Sequence, residues 1–321
     1  MPLCRRRAGA SLAAVIAVAV GLSACEAPLK PDSERQPTSA AEAATPGPSD
    51  DAAATPSPDP SLAPSPTPST APSPTATKVP TPKIPPISPL AKVSGPLLGG
   101  DVSWPQCPKG LGIPEKRSAG LPMPVSGAAF IVIGLTNGPG FVANPCVADQ
   151  VAYARSHKML AAAYSVISGP TRFSPRGVTG EQLGYQQAKF NIATMRRAGL
   201  ISPIVWLDVE SVPSFDWGSD KQANAAVVRG AARGYTESGY AVGVYSTPYL
   251  FASVAGGLRL NVPEWRAAGQ TSRTEALSRC GSDWVITGGR GVLGQWVQDG
   301  RDMNTTCPGA TAQLGRYFHQ Y

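Results

Sequence analysis

The chain has 321 residues, and its 28 Lys and Arg against 21 Asp and Glu give a formal net charge of +7. The basic residues are scattered, so this mild excess indicates a solubilising surface and gives no sign of nucleic-acid binding. Its two histidines, His157 and His319, are too few for most metal-hydrolase patterns and argue against a Ser-His-Asp triad. Any catalysis must therefore rest on carboxylates.

The N-terminus is organised as an export signal. Three arginines at positions 5–7 precede an uncharged apolar run over 8–20, which leads to Leu22-Ser23-Ala24-Cys25. This order is that of a secretory signal, and its end resembles the box at which bacterial lipoprotein signals are cut before a lipidated cysteine. We expect a signal peptide at 1–24 and a lipid anchor on Cys25. A plain signal peptide, or an uncleaved helix with Cys25 there by chance, is the alternative, although the run is shorter than the ~20 residues of a spanning helix.

The next segment, over residues 31–94, consists mainly of Pro, Ser, Thr and Ala. Such a composition buries too little apolar surface to offset its ordering entropy, so it is expected to stay unfolded. We interpret 25–97 as a lipidated cysteine and a disordered tether, and 98–321 as one domain with a substantial core. The domain would then lie in the cell envelope, tethered to the outer face of the cytoplasmic membrane.

Short apolar runs in 98–321 alternate with helical spacing, which favours repeated βα units. Helical spacing covers 144–157, 180–198 and 220–238, and Gly199 and Gly239 are helix stop signals. The eight candidate strands are 100–104, 129–135, 159–167, 201–209, 241–246, 262–267, 284–287 and 293–297. They predict an α/β fold, a compact (β/α)8 TIM-like barrel that is irregular in its last units, with its site at the C-terminal ends of the strands.

Four cysteines lie in this domain, an even number in an exported chain: Cys107, Cys146, Cys280 and Cys307. Two disulfides are expected. Of the three possible connectivities, the pairing of sequence neighbours, Cys107–Cys146 and Cys280–Cys307, is preferred. A four-cysteine zinc site is the rival, but no pair has the C-x-x-C spacing.

Two acids end the most buried-looking candidate strand. Asp208 and Glu210 are two residues apart, so on a strand they would point to the same side. Asp101 lies in the first strand and Asp302 follows the last, and closure of a barrel makes those strands neighbours. A cluster of four carboxylates is therefore predicted at one end of the barrel. The structural alternative is an Asp-x-Glu that caps a helix or pairs with basic residues.

These residues resemble the family 25 glycoside hydrolases, which are bacterial and phage muramidases on a (β/α)8-like barrel. Four motifs in the same order carry the resemblance. They are Asp101-Val102-Ser103; Asp208-Val209-Glu210; Gly243-Val244-Tyr245-Ser246; and Gln295-Trp296-Val297-Gln298 followed by Asp302-Met303-Asn304.

The resemblance implies roles for the four acids. Glu210 would protonate the glycosidic oxygen, its proton held by desolvation and by the nearby Asp208. Asp208 would orient or stabilise the 2-acetamido group of the substrate, while Asp101 and Asp302 would position the sugar and a water molecule. No cofactor or metal is implied. Retaining, inverting and substrate-assisted hydrolysis all remain open.

Two strands depart from the family's pattern, so the substrate contacts are expected to be altered. The family's Lys-Ala-Thr-Glu-Gly is 134–138 here, with Asn137 in place of Glu, and its Tyr-His-Phe is 164–166. Aromatic rings near strand ends can stack on sugars, although most aromatics in strands belong to the core, so only two or three of the five such rings are expected in the cleft. The five are Trp104, Trp206, Tyr245, Trp265 and Trp296. The candidate substrate-binding residues are Tyr164, Tyr245, Trp265, Trp296 and Asn137.

Two functions are compatible with these observations. The first is a membrane-anchored muramidase, a monomer, that cleaves the β-1,4 bond between N-acetylmuramic acid and N-acetylglucosamine in peptidoglycan. The second is a catalytically inactive glycan-binding or envelope-structural lipoprotein with a hydrolase-like fold, which the altered second and third strands would favour.

Overall fold

A computed structural model of the chain describes residues 95–211 and 214–321. The predicted signal peptide, Cys25 and the predicted tether up to residue 94 lie outside the described residues. Within the described part, no helix has the length and apolar character needed to cross a membrane.

The described residues form a closed eight-stranded barrel, which confirms the predicted TIM-like fold. Neighbouring strands pair in the order β2-β1-β8-β7-β6-β5-β4-β3, and pairing of β2 with β3 closes the barrel. All these pairs are parallel except those of β8, which is antiparallel to both β1 and β7. The strands are β1 Leu98–Val102, β2 Phe130–Gly134, β3 Leu160–Val166, β4 Ile204–Asp208, β5 Ala241–Ser246, β6 Glu264–Gln270, β7 Gly291–Gln298 and β8 Arg301–Thr306.

In the described residues, five α-helices connect the strands. They are α1 Val147–Ser156, α2 Gly180–Ala198, α3 Lys221–Thr236, α4 Pro248–Ala255 and α5 Arg273–Ser278. The two long helices α2 and α3 pack closely because glycines face the contact. A Cβ on Gly184 would lie 1.8 Å from the carbonyl oxygen of Val227, and one on Gly230 would lie 1.9 Å from that of Glu181. As predicted, Gly199 ends α2 in the left-handed conformation, with a φ of +67°.

Both faces of the barrel strands are buried, as in other parallel sheets covered by helices. Along β2, Ile131 and Ile133 pack against the helices, whereas Phe130 and Val132 belong to the barrel interior. The C-terminal segment fills the N-terminal end of the barrel. There Phe318 lies against Phe130, with 4.9 Å between ring centroids, and a short strand β9, His319–Gln320, pairs with β3. The interior is therefore filled from this end.

The two predicted disulfides are confirmed. Cys107 is bonded to Cys146, and Cys280 is bonded to Cys307. The first joins the loop after β1 to the start of α1, and the second joins the segment before β7 to the end of β8. Each disulfide therefore links two cysteines that are adjacent in the sequence order of the four.

The seventh predicted strand is wrong. Residues 284–287 form the end of a 3-10 helix, Ser282–Trp284, and a loop. The backbone N–H groups of Ile286 and Thr287 donate to the carboxylate of Glu264, at 2.9 and 2.7 Å. A buried carboxylate thus takes the hydrogen bonds that a neighbouring strand would have received.

The last predicted strand, 293–297, is in fact the seventh strand, β7. The eighth is β8, which the sequence analysis missed because its polar sequence Arg301-Asp302-Met303-Asn304-Thr305-Thr306 lacks an apolar run. Asp302 was predicted to follow the last strand, but it lies within β8. The two-residue turn between β7 and β8 leaves no room for a helix, so β8 must run antiparallel.

Candidate active site

A cleft of about 260 Å³ lies at the end of the barrel where the parallel strands have their C-termini. All four predicted acids line it: Asp101 from β1, Asp208 at the end of β4, Glu210 two residues further, and Asp302 from β8. Asp101 and Asp302 are direct cross-strand partners. Because β8 is antiparallel, its first residues reach the same end of the barrel as the last residues of the other strands.

Asp101 is the acceptor at the centre of a buried hydrogen-bond network. Asn304 donates to its Oδ1 at 2.6 Å, and Gln295 donates to the same oxygen at 3.4 Å. Trp265 and Tyr245 fix the orientation of these two amides, since Trp265 Nε1 donates to Asn304 Oδ1 at 2.7 Å and the Tyr245 hydroxyl donates to Gln295 Oε1 at 2.9 Å. The network holds the Asp101 carboxyl group in one place.

The environment of Asp101 works against its negative charge despite these donors. Burial raises the pKa of Asp101 well above its usual value, and the charge of Asp302 raises it further. The hydrogen bonds from Asn304 and Gln295 lower it, but they offset only part of the effect. A structural network alone gives no reason to bury two facing carboxyl groups at such a cost.

Asp208 is buried and lacks one hydrogen bond. Its side chain is 5% exposed, and within the described part of the chain its Oδ1 has no donor. Burial, followed by the charges of Glu210 and Asp101, raises its pKa well above the usual range. A buried acceptor without a donor is costly, so Asp208 is suited to receive a donor or a positive charge from a bound molecule.

Glu210 has a pKa suited to proton transfer near neutrality. Burial is the main cause of a rise from 4.5 to about 7, and the next contribution is the charge of Asp302. Lys116 opposes this rise. The neighbouring charge was predicted from the motif to be that of Asp208, but it is that of Asp302. Burial also raises the pKa of Asp302, to about 6.

Aromatic side chains form the walls of the cleft. Tyr164, Tyr245 and Trp265 line it, as does Trp104 in a 3-10 helix just after β1. The Trp265 ring lies 4.5 Å from that of Tyr245 and 5.7 Å from that of Tyr164, between centroids. Burial raises the pKa of Tyr164 and of Tyr245 well above the usual value, so both side chains line the cleft as neutral hydroxyl groups.

Two tryptophans that the sequence placed near strand ends are not in the cleft. Trp296, a candidate substrate-binding residue, packs outside the barrel with Ala276 and Met303, and its Nε1 donates to Gln298 at 3.0 Å. Its neighbour Gln295 faces the interior, and side chains alternate along a strand, so Trp296 must face outward. Trp206 is wholly buried in the barrel interior.

Asn137, the remaining substrate-binding candidate, is also outside the cleft. It is fully buried, and its two polar atoms are used by the loop before β2. Its Oδ1 accepts from the backbone of Ile113 at 2.8 Å, and its Nδ2 donates to the carbonyl of Lys116 at 3.0 Å. Asn137 therefore holds this loop in place. The loop brings Lys116 to the cleft, a residue that no sequence motif indicated.

The fold and the cleft define the chain's described part as a (β/α)8-like barrel with an acid-lined, aromatic-walled site. Comparison with known families adds that residues 150–276 match a family model described as Lys-1: Lysozyme-like protein 1. This lysozyme-like segment runs from α1 to α5 and includes Asp208 and Glu210. No curated protein sequence gives a significant match.

Several solved structures are similar to this chain. A family GH25 lysozyme from Aspergillus fumigatus is 16% identical, over 69% of this chain and 99% of that one, with a TM-score of 0.46. A lysozyme from Streptomyces coelicolor is 15% identical, over 70% and 99%, with a TM-score of 0.47. A family 25 glycosyl hydrolase from Bacillus anthracis is 16% identical, over 69% and 93%, with a TM-score of 0.47.

Proposed function

We propose that the chain is an exported, lipid-anchored muramidase that hydrolyses peptidoglycan between N-acetylmuramic acid and N-acetylglucosamine. The observation that carries the proposal is the assembly of Asp208 and Glu210 with Asp101 and Asp302 in one cleft. The lysozyme-like match over residues 150–276 supports it, as do the four motifs shared with the family 25 glycoside hydrolases.

In this proposal Glu210 is the general acid. With a pKa of about 7, about half of the Glu210 carboxyl groups carry a proton in neutral solution and release it readily, which suits an acid that must protonate a leaving oxygen. Its carboxyl group lies in the cleft beside Asp208, on the chain segment that leaves the end of β4.

Asp208 is proposed to stabilise the charge that develops on the sugar. Burial disfavours its ionised form, but an N–H donor from a 2-acetamido group, or the positive charge of an oxocarbenium-like transition state, would favour that form. Such an interaction is stronger in the transition state than in the ground state, which is the requirement for catalysis. The donor missing from Asp208 Oδ1 would then come from the substrate.

Asp101 and Asp302 are proposed to position the sugar and the attacking water, and Tyr164, Tyr245 and Trp265 to line the sugar subsite. The hydrogen bonds of Asn304 and Gln295 to Asp101 fix that carboxyl group, and fixed groups lower the entropic cost of reaching the reactive geometry. Asn304 and Gln295 are thus positioning residues.

The proposed location is the outer face of the cytoplasmic membrane, with Cys25 as the lipid-bearing residue and peptidoglycan as the partner. The support comes from the order of residues 5–25 and from the composition of 31–94. A hydrolase on such a tether would act only on wall material within the tether's reach.

Digestion of purified peptidoglycan tests the catalytic part. The full chain is produced in an exporting host so that both disulfides form, and new reducing ends are counted. Loss of a general acid typically costs about 10²–10⁴-fold in rate, so Glu210→Gln should release almost none. Glu237→Gln, an exposed position at the C-terminal end of α3, is the matched control and should match the parent. A Glu210→Gln variant as active as the parent would contradict the mechanism, and an inactive parent would favour the glycan-binding alternative.

A further inference from the structure

The loop before β2 is built to hold one side chain in the cleft. Asn137 binds the backbone at Ile113 and at Lys116, and the N–H of Lys116 donates to the carbonyl of Ile113 at 2.9 Å. Glu115, the neighbour of Lys116, forms an ion pair with Arg172 from the loop after β3. The backbone of Lys116 is therefore fixed from two sides of the cleft entrance.

The side chain of Lys116 has a defined path. Its stem crosses Gly138, where a Cβ atom would lie only 2.9 Å from Lys116 Cδ. Gly138 has a φ of +93°, so a side chain there would be strained as well as obstructive. The ammonium group ends 5.7 Å from the centroid of the Trp104 ring, which is within cation–π range.

Within the described part of the chain, the ammonium group of Lys116 has no anionic partner of its own. Among residues 95–211 and 214–321, no carboxylate lies within ion-pair distance of Lys116 Nζ, and no hydrogen bond of this atom is found. It is half-buried. The described cleft lining contains four carboxyl groups and, as its only cation, Lys116.

We propose that Lys116 binds a carboxylate of the substrate and so selects acidic sugars over neutral ones. This inference rests on the proposed function and names the group recognised: the lactyl carboxylate, which N-acetylmuramic acid carries where no stem peptide is attached to it and which N-acetylglucosamine lacks. Those of the four carboxyl groups that are ionised would repel such a substrate, so an acidic sugar needs a local cation. Lys116 supplies this cation beside an aromatic ring. The loop that carries Lys116 is held in place by its own hydrogen bonds and does not need the substrate to become ordered.

A rival role is electrostatic tuning of Glu210. Lys116 opposes the rise in the pKa of Glu210. Burial lowers the pKa of Lys116, and the charge of Glu210 offsets part of that lowering. Tuning alone would affect all substrates equally, because the general acid acts on every glycosidic bond. Recognition of a carboxylate would affect only substrates that carry one.

Calorimetric titration separates the two roles. The full chain is purified in detergent with Glu210→Gln to prevent turnover. The three ligands are a peptide-free tetrasaccharide of alternating N-acetylglucosamine and N-acetylmuramic acid, its methyl ester, and chitotetraose. A charge-assisted contact gives on the order of ten- to hundredfold in affinity. Lys116→Gln should therefore weaken binding of the acidic tetrasaccharide by that factor and leave the two neutral ligands unchanged.

Two further variants control for charge and folding. Lys116→Arg should restore most of the preference for the acidic ligand, and Lys109→Gln, which removes an exposed lysine from the same loop region, should change nothing. Unchanged binding of the neutral ligands also shows that the Lys116→Gln protein is folded. Equal loss for all three ligands, or no loss for any, would overturn the inference while the muramidase proposal stands. If the parent binds none of the ligands, both proposals fail.

Discussion

Replacing Glu210 with Gln should make the protein more stable in alkaline solution. The folded chain raises the pKa of Glu210 from 4.5 to about 7, so between these pH values the folded state binds the proton more tightly than the unfolded state. The stabilising effect of that proton is fully present below about pH 4.5 and is lost as the pH rises through about 7. Above pH 7 the parent therefore keeps a buried charge at a cost.

The size of this cost follows from the pKa values. Each pKa unit corresponds to about 1.36 kcal/mol, so the cost is up to about 3 kcal/mol at pH 9. Glu210→Gln removes it, and the variant should gain up to that amount over the parent at pH 9 while differing little at pH 4. For a domain of this size, such a gain raises Tm by roughly 6–12 °C.

Urea denaturation at pH 4, 7 and 9, followed by tryptophan fluorescence, measures the effect. Glu237→Gln changes an exposed carboxylate and should shift the free energy of unfolding by less than about 0.5 kcal/mol at every pH. If Glu210→Gln and the parent lose stability in parallel from pH 4 to pH 9, the buried-charge explanation is refuted.

Three other predictions concern separate parts of the molecule. The kcat/KM for peptidoglycan should fall as the pH rises above about 7, because Glu210 loses its proton; a rate that still climbs at pH 8 would contradict this role. Glu264 is wholly buried and binds Arg266 at 2.7 Å and three backbone N–H groups. Glu264→Gln should therefore lower the free energy of unfolding by about 3–5 kcal/mol. A loss below about 1 kcal/mol, measured by urea denaturation, would contradict this prediction. Cys25→Ala should release the protein from membranes, or leave it unprocessed, without changing the activity of the purified chain; fractionation and mass spectrometry check this, and a native protein without lipid would rule out the anchor.

Much of the fold could be predicted because the apolar runs and the helical spacing are strong in the first two thirds of the domain. The bounds predicted for α2, 180–198, are those observed. The last third of the domain was harder to predict because, in part of it, hydrogen bonds to a side chain replace the pairing of backbone strands. Glu264, a buried acid in β6, accepts hydrogen bonds from N–H groups in the segment mistaken for a strand. The sequence around Ile286 gives no sign of these hydrogen bonds.

Asp208 and Glu210 could be predicted to share one side because they are two residues apart at the end of a strand, and the same alternation of side chains applies to β7 and β8. In β8, Asp302 and Asn304 share a face, which indicates that Asn304 also faces the interior. In β7, the inward position of Gln295 places Trp296 outside. The alternation of side chains along β7 would thus have corrected the prediction that Trp296 lies in the cleft.

The loop contacts could not be predicted from the sequence. Asn137 binds a segment more than twenty residues earlier, and no local pattern specifies such a pairing. Lys116 is the last residue of a three-residue 3-10 helix, Pro114–Lys116, which is too short to give a periodic sequence pattern. Its approach to Glu210 and Trp104 depends on how that loop folds over the barrel.

If Glu210 and its neighbours cleave the bond after N-acetylmuramic acid, each cut leaves that sugar at a new reducing end, which can be identified chemically. Peptidoglycan digested by the full chain is reduced with borohydride, and the fragments are analysed by mass spectrometry. We expect muramitol derivatives at the reducing ends, absent when Glu210→Gln replaces the parent. Glucosaminitol ends, or parent digests without new ends, would contradict the account.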